Sequence, residues 1–175
     1  MREGRLEAAR GKIEAAAAAW PGSERTRLQR DRVLEQALIR LRAEVLVLEG
    51  KPAGAIALMD KEFKPIMRGV GLTVMLFSTL FLNFPLDQDV VPRAYEKMGD
   101  IDKAIEAYRK LINIDPKGQD RRMHNPIYHY RLAKLYDTKG MKAAARAEYQ
   151  NLLDDWKDTD PGIPELVDAK KRLGM

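Results

Sequence analysis

Side chains that attack, coordinate or move protons are scarce in this sequence. No cysteine occurs among its 175 residues, which removes disulfides, cysteine-based zinc sites and a thiol nucleophile together. Serine stands only at Ser23 and Ser78 and histidine only at His124 and His129, so a nucleophile and its base have few components to be built from. The two histidines are five residues apart, and an interior, hydrogen-bonded histidine is expected rather than a metal ligand. No G-x-x-x-x-G-K-[ST], H-E-x-x-H or EF-hand loop is present, and Gly69-Val-Gly71 is all that remains of a dinucleotide fingerprint. Asp154-Asp155 and Asp158 with Asp160 read as solvated carboxylates at a helix end and loop. We therefore expect no catalytic residue, no metal site and no cofactor.

Charge is what remains. The net charge is +5, too mild for the total to decide a partner, so the positions of the charges matter more. Arg25, Arg27, Arg30, Arg32, Arg40 and Arg42 suggest a nucleic-acid footprint until Glu24, Asp31, Glu35 and Glu44 are counted among them. A solvated, salt-bridged helix is the better reading. Lys117, Arg121 and Arg122 form a second small basic cluster, and neither group has aromatic residues interleaved as stacking platforms. A nucleic-acid-binding adaptor is thus the alternative, not the expectation.

The elements that position these charges show in a recurring ladder. Around Gly99 it reads Tyr95, Gly99, Ala104, Tyr108, Leu111 and Pro116; the same offsets give Tyr136, Gly140, Ala145, Tyr149 and Leu152, with Lys157 in the proline column and Pro161 four residues on. An earlier copy reads Leu46, Gly50, Ala55 and Met59, with Glu62 off pattern and Pro65 two residues early. Gly4, Ala9, Ile13, Ala16 and Pro21 fit the second half alone, so the first copy is expected to be partial. Each rung suits two antiparallel helices. The glycines supply the positive φ of a helix-ending turn, the alanines are small where the helices cross, and the aromatic or methionine four residues on fills the space beside that crossing. Pro52 suits a first helical turn and Asp100 an N-cap. Pro92 is the awkward residue inside such a helix; a kink is expected there, or a helix that starts at it.

This ladder resembles the tetratricopeptide repeat, a two-helix unit of about 34 residues. It departs from that family where the signature tryptophan and Leu-Gly columns hold Gln88, Val91 and Pro92, or His129, Leu132 and Ala133, and where successive turn glycines lie 46, 49 and 41 residues apart. The resemblance implies an all-α fold of stacked antiparallel helical hairpins in a right-handed solenoid, forming one array over residues 1–175. Its parts are a partial repeat at 1–22, repeats at 36–69, 85–118 and 126–159, and a capping helix at 162–173. The stretches beginning at Asn125 and Trp156 also resemble a C-terminal array of bacterial-type regulatory or scaffold proteins.

Function, as the resemblance implies, sits on a concave face lined by the first helices, which would hold a peptide or partner protein without catalysis. The columns of that face are Arg40, Glu44 and Val47, then Asp89, Arg93 and Glu96, then Tyr130, Lys134 and Asp137, flanked by Arg131. Arg40, Arg93 and Lys134 are candidates for sharing an acidic peptide or terminal carboxylate. The asparagines that clamp a carboxylate in chaperone-binding members are absent. A regulatory tail of a larger signalling enzyme is a further reading.

Val70–Phe84 is the longest apolar stretch, 15 residues, which as a helix spans about 22 Å against a hydrocarbon core of about 30 Å. Membrane insertion is not expected, and with no secretory signal visible at Met1–Arg5 the expected location is cytoplasmic. Its apolar residues fall on nearly every helical face, so burial within the array is expected; the alternative is an interface through Phe77 and Phe81, with a second copy or another protein as the partner.

Overall fold

The structure, a computed structural model, describes residues 2–19, 30–63, 89–113 and 125–175. These residues form eight helices and no strand: α1 (Arg2–Ala19), α2 (Arg30–Leu48), α3 (Pro52–Glu62), α4 (Val90–Lys97), α5 (Ile101–Ile112), α6 (Ile127–Thr138), α7 (Lys142–Asp155) and α8 (Pro164–Leu173). Residues 70–84, with Phe77 and Phe81, lie outside the described residues, as do Trp20, Pro21, Pro65, Pro116, His124 and the basic cluster Lys117, Arg121 and Arg122.

Three hairpins follow from the ladder. α2 turns into α3 at Gly50, α4 into α5 at Gly99, and α6 into α7 at Gly140, with φ of 79°, 77° and 72°. Nothing lies within 4 Å of where a Cβ would stand at any of the three, so the backbone angle selects glycine there, not crowding. After the turns, Pro52 opens α3 and the Asp100 side chain caps α5 by accepting from the Lys103 N–H at 3.2 Å. Ala55, Ala104 and Ala145 are buried at the helix crossings, and Tyr108 and Tyr149, four residues later, fill the space beside them.

The hairpins stack in chain order. α3 packs on α4, α5 on α6 and α7 on α8, while α1 packs on α2. One buried apolar cluster runs from Ala104 on α5 to Ala169 on α8, and a second joins Ala43, Val47, Ala55, Val90 and Ala94 across α2, α3 and α4. Tyr108 and Tyr128, with ring centroids 6.0 Å apart, carry the contact between α5 and α6. The described residues form an all-α array of stacked helical hairpins in which each helix packs on its neighbours in the stack.

Two local expectations change. Pro92 neither kinks a helix nor starts one: α4 begins two residues earlier at Val90, which places Pro92 in the first turn, where its missing N–H has no intrahelical acceptor to lose. Gly4 is not a turn glycine, because α1 runs through it from Arg2. α8 ends at Gly174 with φ 82°, the same left-handed turn that closes α2, α4 and α6. Gly174 follows Gly140 by 34 residues.

Candidate functional site

The face formed by α2, α4 and α6 is organised around one carboxylate. Asp89 occupies the N-cap position of α4 but makes no capping bond with its side chain. The carboxylate instead accepts from Arg93 Nε at 3.0 Å, pairs with Arg131 of α6, and accepts from the Tyr108 hydroxyl of α5 at 3.4 Å. It is 1% exposed and is the one buried carboxylate among the described residues. Arg93 reaches in the other direction to Glu44 of α2. Glu44, Arg93, Asp89 and Arg131 therefore form a chain of alternating charge across the first helices of three successive hairpins. Burial lowers the Arg131 guanidinium from its ordinary pKa, opposed by the fields of Glu165 and Glu44. Burial also pushes the Tyr108 hydroxyl well above the usual tyrosine range.

A second lacing joins α6 and α7 to α8. The Tyr130 hydroxyl donates to Asp168 at 2.9 Å; Arg172 donates to Asp168 at 2.7 Å and to Asp137 at 2.8 Å; the Tyr149 hydroxyl donates to Asp137 at 3.0 Å. Burial alone would raise the Asp137 and Asp168 carboxyls, but Tyr149, Lys142 and Arg172 at the first, and Arg172 and Tyr130 at the second, outweigh it and hold both low. Burial, assisted by the bond to Asp168, pushes the Tyr130 hydroxyl up to about 12.

Against this frame the predicted site residues separate. Arg40 is 6% exposed and lies with its guanidinium 4.5 Å over the Phe63 ring. Glu44 and Arg93 are half-buried in the charge chain, and Val47 is buried, its carbonyl accepting from Lys97 Nζ at 2.8 Å. Arg131 and Tyr130 are partly exposed beside them. Lys134 and Glu96 stand exposed, the Lys134 ammonium 5.5 Å from the Tyr130 ring centroid. The hub role of Asp89 and the part of Asp168 and Arg172 were missed. Their signals are an acid at a helix start with an arginine four residues on, and an Asp–Arg pair with the same spacing in α8.

His129 is interior, as expected, with Nδ1 2.5 Å from Glu148 and Nε2 3.6 Å from Asp155. Among the described residues no group of three or more histidine and acidic side chains is arranged to hold a metal ion. Of the basic residues in the N-terminal cluster, Arg42 forks onto Glu14 of α1 at 3.0 and 2.8 Å and Arg40 is buried, so neither presents an open charge to a phosphate backbone. No helix of the described residues is long and apolar enough to cross a membrane.

Models of the tetratricopeptide repeat match residues 93–117, from α4 through α5, and residues 129–159, from α6 through α7. No curated protein matches the chain.

Proposed function

We propose that this chain of tetratricopeptide repeats serves as a non-catalytic protein-interaction module whose first-helix face holds a peptide or partner protein. The observation that carries the reading is the charge chain from Glu44 to Arg131. It ties three first helices into one surface and leaves exposed or partly exposed polar groups along it at Glu96, Tyr130, Arg131 and Lys134. Such a surface matches an extended or helical ligand that runs across successive repeats.

The division of labour within the face is specific. Glu44, Asp89 and Arg93 set the relative placement of the helices, and Lys134 with Tyr130 supplies the contact on which an acidic side chain or terminal carboxylate of the partner would rest. Arg40, buried on Phe63, supports the first of these tasks. Affinity capture from the native cell on the wild-type chain and on a Glu96→Ala/Lys134→Ala variant tests this. Partners retained by the first and lost by the second, at equal melting temperature, support it. Partners retained equally by both move the site off this face.

A further inference from the structure

Most of the charge on the first-helix face is used within the face. Glu44, Arg93, Asp89 and Arg131 answer one another, and the Lys97 ammonium goes to the Val47 carbonyl. Toward α8, Asp137 and Asp168 are both held by Arg172. Two charges are left over. Among the described residues, the side chains of Glu96 on α4 and Lys134 on α6 make no hydrogen bond or ion pair, and both are exposed. α4 and α6 stand inside the stack, with α2 before them and α8 after, so this exposure is a property of the face itself.

Both charges are positioned by what surrounds them. The Tyr130 ring is pinned through its hydroxyl, which donates to Asp168 at 2.9 Å, and the Lys134 ammonium lies 5.5 Å from the ring centroid. Glu96 stands in the last turn of α4 beside Lys97, whose bond to Val47 fixes that end of the helix against α2. Glu96 lies three residues before its turn glycine and Lys134 six before its own, so they occupy different columns and do not meet, although Asp89 and Arg131 join the same two helices. An anion and a cation held apart at fixed places on neighbouring first helices are complementary to a ligand that carries the opposite two charges in a fixed order. The large apolar residues exposed on these two hairpins are Met98 and Met141, which lie at the turns and outside the columns of the face. The apolar anchors that seat an amphipathic helix in a groove are therefore missing between α4 and α6.

We infer that the partner segment is an extended peptide carrying one basic and one acidic side chain, the basic one on Glu96 and the acidic one on Lys134, a reading that rests on the first-helix face being the binding surface. Neighbouring helices lie on the order of 10 Å apart and an extended chain advances about 3.3 Å per residue, so the two charged residues are separated by roughly two to four positions. Glu96 is then a specificity residue: it selects among acidic peptides those that also present a cation toward α4, and repels those that present a second acid there.

Random dodecapeptides displayed on phage, selected for binding to the 175-residue chain and against its Glu96→Lys/Lys134→Glu variant, test this. Enriched sequences should carry a basic and an acidic residue at the stated separation. As free peptides in fluorescence anisotropy they should lose affinity several-fold on Glu96→Gln and on Lys134→Gln, with helicity and melting temperature held. A peptide with its two charges exchanged should prefer the Glu96→Lys/Lys134→Glu variant to the wild type. Enriched peptides that depend on Lys134 and an acidic residue, but on neither Glu96 nor a basic residue, would overturn the inference and leave the first-helix face as the binding surface. Peptides indifferent to both substitutions, or no enrichment at all, would overturn both.

Discussion

Asp89 of α4 and Arg131 of α6 are 42 residues apart in sequence and share an ion pair in which the carboxylate is 1% exposed. The same carboxylate also holds Arg93, so one buried acid answers two guanidinium groups on different helices. A buried charge is stabilising only while its partners remain; removing one partner of such a pair costs about 3–5 kcal/mol because the other is left uncompensated. Asp89→Asn should therefore lower stability by about 3 kcal/mol in urea unfolding, whereas Glu44→Gln, at the more open end of the chain of charges, should cost nearer 1 kcal/mol. Equal costs at the two positions would show that Asp89 is not the hub.

Two glycines should respond with opposite sign to one substitution. Gly99→Ala places a Cβ on a residue with φ 77° and should destabilise by about 1 kcal/mol, although nothing crowds the site. Gly4→Ala falls inside α1, again with open space around it, and should stabilise by about 0.5–1 kcal/mol through helix propensity. Thermal melts of the two variants compared with wild type check both. A stabilising Gly99→Ala would mean the turn relaxes to an ordinary φ.

These glycines also mark where reading the sequence succeeds and stops. Gly50, Gly99 and Gly140 were legible because a helix-ending turn restricts residue type strongly, and the alanine five residues on confirms each one. Gly4 shares the spacing but stands where no helix has to end, and residue type alone does not carry that difference. The candidate face was legible as a set of columns, since position relative to the turn fixes which helix side a residue occupies. Its electrostatics were not. Arg93 and Arg131 look alike in sequence to the exposed Lys134, and only the inter-helix distances show that two of the three cations are engaged by Glu44 and Asp89. Arg40 is the sharpest case, because the position of Phe63 that buries it depends on how α3 ends.

The docking of α8 should depend on pH at both extremes. Asp137 and Asp168 are held low in the folded chain, so the unfolded chain takes up their protons first as pH falls. Their stabilisation is complete above the unfolded carboxylate value near pH 4 and is lost as pH drops through the lower folded values. Tyr130, pushed up to about 12, works in the other direction: the unfolded chain loses that proton near pH 10 while the folded chain keeps it, so stability declines as pH rises between about 10 and 12. Hydrogen exchange in α8 at acid pH reads the first limb, and urea titrations above pH 9 read the second. Arg172→Ala should shrink the acid limb and end it at a higher pH, nearer the unfolded carboxylate value, because that guanidinium is a donor to both carboxylates and helps hold their folded values low. An unchanged acid limb in this variant would place the linkage elsewhere.

Variants of the first-helix face should divide by what each side chain touches. From sequence, Arg93 and Lys134 are interchangeable cations of one column, and replacing both would be expected to weaken a partner while leaving stability alone. The structure separates them. Arg93 bridges Asp89 and Glu44 and is half-buried, so Arg93→Ala should lower the melting temperature and cost about 2 kcal/mol or more by leaving Asp89 partly unanswered. Lys134 is exposed above the Tyr130 ring, where a cation–π contact is worth about 0.5–1 kcal/mol, so Lys134→Ala should barely move the melting temperature. Its effect belongs to binding. With any partner captured on this face, Lys134→Ala should weaken affinity several-fold, and Lys134→Glu should weaken it further if the partner presents a carboxylate. Affinity unchanged by Lys134→Glu, measured by calorimetry with that partner, would show that the exposed end of the face takes no part in holding it.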